Sequence, residues 1–186
     1  MVFIKDGMAQ CASCFMVLLD WCEIGHDPSY SRNTDFFMAD RIDCASASPD
    51  GFNAFASVRA AVEKSDLPKQ LFNLVYLRVS QMNRSALYVD VHSRSLLELG
   101  LTVEKLGQVP VWRNAGHLFN ARERSALAWA ETVTRVAETG VPDSDYEAAA
   151  VEFSNKELAD LTYAIALMNA LNRIGMAFRS TLSGKA

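Results

Sequence analysis

No stretch of this chain holds the ~20 consecutive apolar residues that a membrane-spanning helix needs. The best run near the start, "CFMVLL" at residues 14–19, is far shorter and is closed by Asp20. No basic segment precedes it, so it does not read as a secretory signal. Positive charge is also scarce. The chain has 18 Lys and Arg against 22 Asp and Glu, a formal net charge of −4, and no basic stripe interleaved with aromatics. Nucleic acid and membranes are therefore not expected as partners, and a cytoplasmic location is the expectation. Cysteine occurs only at Cys11, Cys14, Cys22 and Cys44, and in that compartment the thiols are expected to stay reduced.

Strand patterns are missing too. From about residue 48 onward no segment alternates with period two over a strand's length. What is there reads as helix after helix. In "SPDGFNAFASVRAAVEKS", Ser48 is the expected N-cap and Pro49 the first helical residue. Phe52, Phe55, Val58, Ala61 and Val62 then form one apolar face. Asp66 is the expected cap of the next helix, "LPKQLFNLVYLRVSQ". Its apolar residues nearly encircle it, the pattern of a buried central helix. A break at Asn83–Arg84 leads into a helix from Ser85 to Leu99, stopped by Gly100. Thr102 begins a short helix ending near Pro110. Asn120 and Glu123 cap a long helix that runs to Gly140, and Ser154 and Glu157 cap the most hydrophobic one. The expected fold is an all-α domain of six or seven helices over residues 41–186.

Residues 1–40 differ in character, with three cysteines and no clear amphipathic period. They read as an appendage, a disordered tail, or a segment upstream of the natural start at Met38. Cys11, Cys14, Cys22 and His26 give Cys-x2-Cys-x7-Cys-x3-His, four ligands of a type that suits zinc. A redox pair and plain thiols are the alternatives, and no metal or cofactor is expected of the helical domain. Cys44 reads as a small packing residue.

The candidate site is "QMNRSALYVDVH", residues 81–92. Ser85, Tyr88 and His92 fall at i, i+3 and i+7 and share one helix stripe. One reading is a pocket, with His92 as acid or base, Tyr88 as proton donor or ligand contact, and Ser85 as hydrogen-bond partner. The other is structural: an N-cap serine, a packed tyrosine and a hydrogen-bonded core histidine. Asp90 lies about 140° around the helix from Ser85, away from that stripe. Asn73, among apolar neighbours, can bond His92 or Tyr88 without bringing a charge. Arg78 needs a partner, and Glu131 and Asp160 are the candidates. Asn169, Asn172 and Arg173 read as a structural network. His117 belongs to an exposed loop, and Trp112 and Trp129 to the core or a subunit contact.

The segments "LVYLRVSQMN" and "DVHSRSLLELG", with "VWRNAGHLFNARERSALAWAETVTRV" and "FSNKELADLTYAIALMNALNRIGMAFR", resemble the carboxymuconolactone decarboxylase and alkylhydroperoxidase D (AhpD-like) superfamily. The likeness runs from about Arg41 to Arg179. It implies a helical, oligomeric protein, a dimer, trimer or hexamer, with a small apolar or peroxide ligand. Peroxidase members carry a Cys-x-x-Cys opening the third helix, a His four residues after the second Cys, and a Glu on the preceding helix. The thiolate attacks a peroxide O–O bond, and the second thiol resolves the sulfenic acid. The resemblance carries the two thiols onto Ser85 and Tyr88, the His onto His92, and the Glu onto Asn73. A hydroxyl does not cycle through a sulfenic acid, so no Cys-based peroxidase activity is expected of this site. The alternatives are an active antioxidant enzyme or non-redox acid/base chemistry by His92 and Tyr88.

Overall fold

The apolar residues that encircle segment 69–82 make it the central helix of the molecule. In the computed structural model, which describes residues 41–180, the helices follow in order. They are α1 (Cys44–Ala47), α2 (Pro49–Val62), α3 (Lys69–Met82), α4 (Ala86–Glu98), α5 (Val103–Gln108), α6 (Ala121–Thr134), α7 (Val136–Thr139), α8 (Asp143–Glu152) and α9 (Asn155–Phe178). Two 3-10 turns, Val109–Asn114 and Gly116–Leu118, join α5 to α6. No strand occurs among the described residues, so the class is all-α, as expected. Two of the helices, α1 and α7, are single turns of four residues. Among the described residues no helix is long and apolar enough to cross a membrane.

Two apolar clusters meet on α3. Leu71, Phe72, Val75 and Val79 pack with Trp129, Phe153, Leu161 and Ile165 of α6, α9 and the α8–α9 junction. Leu74 and Leu77 turn the other way, onto Leu96, Val109, Trp112 and Leu127. This two-sided burial is why α3 lacks a polar face. Each fully buried Leu or Val contributes roughly 1.5–3 kcal/mol, so α3 fixes the position of everything attached to it.

The caps follow the sequence at three starts. Asn120 with Glu123 and Ser154 with Glu157 form complete capping boxes, and Thr102 accepts from Lys105 N. Two expectations, the cap at Asp66 and the unbroken helix to Gly140, are corrected, and the cap at Ser48 holds in position only. Asp66 does not cap α3; Pro68 is the N-cap, with φ −59°, and the neighbouring buried Leu67 anchors the entry. Proline already holds the extended approach to a helix, so no side-chain cap is required. Ser48 occupies the N-cap of α2, but its side chain makes no capping bond. The helix expected to continue to Gly140 breaks at Arg135, with φ −97° and ψ 31°, and Thr139 Oγ1 donates to the carbonyl of Thr132 at 2.9 Å. The apolar face of α2 is also mostly uncovered: only Val62 of that helix is buried among the described residues.

Glu131 settles the partner of Arg78. Its Oε1 accepts from Arg78 Nε at 2.7 Å and from Trp112 Nε1 at 2.9 Å, and Arg113 pairs with its Oε2. Asp160 instead bonds Ser65 and Lys156. Burial acts to raise the Glu131 carboxyl, but the bonds from Arg113, Trp112 and Arg78 outweigh it and hold the pKa below the usual range. Asn169 and Asn172 join the α3–α4 corner to α9. Asn83 Nδ2 donates to Asn169 Oδ1 at 2.9 Å, and Ser80 Oγ to Asn172 Oδ1 at 3.2 Å. Arg173 donates to both oxygens of Asn169.

Candidate functional site

The corner between α3 and α4 is built on Arg84, which takes φ 58°. This left-handed residue turns the chain back, so that Ser85 N donates to Ser80 O at 3.0 Å. Ser85 is the N-cap residue of α4 and is buried, although its hydroxyl makes no capping bond. From there the helix sets Tyr88 and His92 on one stripe. Their rings stack with centroids 6.1 Å apart and 15° between planes.

His92 faces α3. Its Nδ1 lies 3.0 Å from Asn73 Oδ1, and Asn73 Nδ2 donates to Lys69 O at 2.9 Å. Tyr76, one turn along from Asn73, brings its ring within 5.0 Å of the imidazole. Sequence reasoning passed over Tyr76, yet its i+3 spacing from Asn73 was the available signal. His92 is 8 % exposed. Burial, with a smaller contribution from Arg59, pushes its pKa down to about 3. The imidazole is neutral at physiological pH. Burial also raises the phenols of Tyr76 and Tyr88, with Arg59 opposing it, so both keep their protons.

Arg59 of α2 acts electrostatically on all three rings. Nothing in the sequence pointed to it beyond an i,i+4 pair with Glu63, which it makes at 2.7 Å. Cys44, read as a packing residue, is near enough to Tyr88 to raise its pKa slightly. On the far side, Gly175 of α9 lies against the Tyr88 ring. The four sequence-predicted residues therefore divide. Asn73, Tyr88 and His92 come together, and Ser85 sits one turn before Tyr88 at the corner. Asp90 points away from the stripe, into an ion pair with Arg94 at 2.9 Å.

Cys11, Cys14, Cys22 and His26 lie outside the described residues. Among the described residues no three His, Cys, Asp or Glu side chains converge to hold a metal ion. His117 is exposed on its 3-10 turn. A separate hollow of about 380 Å³ is lined by Trp112, Trp129, Arg124, Glu131 and Arg135.

The chain has relatives in sequence and in fold. A family model, the carboxymuconolactone decarboxylase family, matches residues 49–132, a span that takes in Asn73, Ser85, Tyr88 and His92. The solved structure of ATU0492 from Agrobacterium tumefaciens is that of a protein of unknown function, proposed there as the antioxidant defence protein AhpD. It is 35% identical, has a TM-score of 0.75, and covers 79% of this chain and 100% of its own. This chain belongs to the carboxymuconolactone decarboxylase family. The AhpD-like membership expected from the helices between Arg41 and Arg179 is the membership found. YdfG of Bacillus subtilis (strain 168), an uncharacterized protein, is 25% identical over 148 residues, 80% of this chain and 100% of that protein. The fold extends to the debrominase Bmp8, solved as a cysteine-to-alanine variant in complex with 2,3,4-tribromopyrrole. That likeness has a TM-score of 0.66 at 18% identity and covers 75% of this chain and 74% of the other.

Proposed function

We propose that this chain is an AhpD-like family member without thiol peroxidase chemistry, and that it binds a small, largely apolar molecule beside Tyr88 and His92. The carrying observation is what stands where the family resemblance places the reactive groups: a hydroxyl at Ser85, a phenol at Tyr88, and a neutral amide at Asn73 bonded to His92. Peroxide reduction by a thiol needs a thiolate, a resolving thiol and a route for protons. Here the first two have no counterpart. The third has become a hydrogen bond between two neutral groups, which transfers no proton. The depressed His92 pKa also speaks against acid/base work at neutral pH, because an effective general base titrates near the working pH.

Support for binding comes from the two aromatic rings, Tyr76 and Tyr88, that lie close to a buried neutral imidazole. The fold neighbour Bmp8, which holds a halogenated pyrrole, lends the same reading support by analogy of fold alone. The chain is also proposed to self-associate. Val111, Val151 and Tyr163 are each more than half exposed, apolar side chains of the kind that oligomer contacts cover. Light scattering tests this last point: a monomeric mass at micromolar concentration would remove it.

The functional reading is tested by incubating the full chain with an organic hydroperoxide and a dithiol, alongside calorimetric titration with small aromatic probes. The expected result is no peroxide consumption above the protein-free rate and saturable binding of at least one aromatic probe.

A further inference from the structure

One polar atom of the site has no partner, and its identity follows from its neighbours. Asn73 Nδ2 is committed to Lys69 O, which turns Oδ1 towards His92. An amide oxygen only accepts, so the proton of the neutral imidazole sits on Nδ1. Nε2 is left as a bare lone pair. It is buried and makes no hydrogen bond. By the geometry of the five-membered ring it points away from Asn73. The residue itself is 8 % exposed, and the Tyr76 and Tyr88 rings lie 5.0 Å and 6.1 Å from it.

A buried acceptor without a donor is costly, and a site built to bond a substrate O–H or N–H rejects the analogue that lacks it. Resting on the reading of this corner as a small-molecule site, we propose that its ligand is a neutral aromatic molecule with one O–H or N–H donor, phenol-like in chemistry, whose hydrogen goes to His92 Nε2. A carboxylate does not suit the site, because it sets oxygen lone pairs against a nitrogen lone pair. A plain arene leaves Nε2 unpaired. An organic cation meets Arg59, whose charge already acts on all three rings. His92 thereby becomes the residue that determines specificity, and Asn73 the residue that positions it by fixing the tautomer.

The experiment is calorimetric titration of the full chain with phenol, fluorobenzene and benzoate, in the wild type and in His92→Phe. Phenol is expected to bind tighter than fluorobenzene by about tenfold or more, with benzoate weakest, and His92→Phe should erase the preference while keeping fluorobenzene. Equal binding of phenol and fluorobenzene, or tightest binding of benzoate, overturns the donor rule but leaves the apolar-site reading standing. No binding by any of the three overturns both. A second measurement does not depend on the variant folding. Nitrogen-15 NMR of the wild-type histidines, with His92 assigned by His92→Gln, should show Nδ1 protonated and Nε2 bare. The opposite tautomer overturns the proposal.

Discussion

Gly175 of α9 makes room for the Tyr88 ring of α4: a Cβ at position 175 would stand 3.3 Å from Tyr88 Cε2 and 3.9 Å from Leu87 Cδ2. Two effects oppose one another there. Alanine is better than glycine within a helix by up to ~1 kcal/mol. The added methyl must move a half-buried ring by a few tenths of an ångström. Gly175→Ala is expected to change stability by less than about 1 kcal/mol, since both effects are of that size. Gly175→Val brings a second branch into the same contact and should cost roughly 1–3 kcal/mol. Urea denaturation midpoints of the two variants check the pair.

The ion cluster on Glu131 gives the largest expected loss. Arg78 and Glu131 have side chains only 13% and 6% exposed. Glu131→Ala leaves the Arg78 charge buried without its carboxylate and strips Trp112 Nε1 of its acceptor. A cost of roughly 3–5 kcal/mol is expected. The double change Arg78→Met with Glu131→Leu should recover much of it, because the buried charge goes with its partner. Equal destabilisation of the single and double variants, again by urea denaturation, would contradict this account of the cluster.

His92 also has a pH signature. Its folded pKa, about 3, lies below the ordinary value of 6.5. The unfolded chain therefore binds this proton more readily than the folded one. The contribution is fully present above pH 6.5 and is lost as pH falls towards 3. Relative to His92→Gln, the wild type should lose stability by up to ~1.4 kcal/mol per pH unit below that point. Between pH 6.5 and 5 the carboxylates with depressed pKa values are still ionised, so the difference between the two proteins isolates His92. Parallel stability curves for wild type and His92→Gln across that interval would mean that the imidazole is not held neutral.

Much of the fold was legible in the sequence. The reason is local: capping boxes at Asn120–Glu123 and Ser154–Glu157, and the all-round apolar pattern of α3, act within a few residues of where they are read. The misreadings were also local but rested on competing chemistry. Asp66 looked like a cap, while Pro68 took the position through its fixed φ. The break at Arg135 has no glycine or proline to announce it. In the site, His92 was legible because a helical stripe and a family pattern converge on it, and Asn73 because the family pattern marks it as an amide among apolar neighbours. Arg59 was not, because it acts from a separate helix, α2, on rings carried by α3 and α4, which no spacing on one helix encodes.

Rebuilding the chemistry is the constructive test. If the corner keeps the shape that a thiol site needs, Asn73→Glu with Ser85→Cys and Tyr88→Cys should gain measurable hydroperoxide reduction. Replacing Tyr88 removes a ring that stacks on His92, so folding of the triple variant is followed by circular dichroism alongside activity. A folded, inactive triple variant would mean that the corner has been reshaped around Tyr88.

The measurement that bears most directly on the central claim is the rate at which the wild-type chain consumes an organic hydroperoxide in the presence of excess dithiol. The absence of thiols at positions 85 and 88 predicts a rate equal to that of the dithiol alone, at every protein concentration. A rate that rises in proportion to the protein and saturates with hydroperoxide would contradict it.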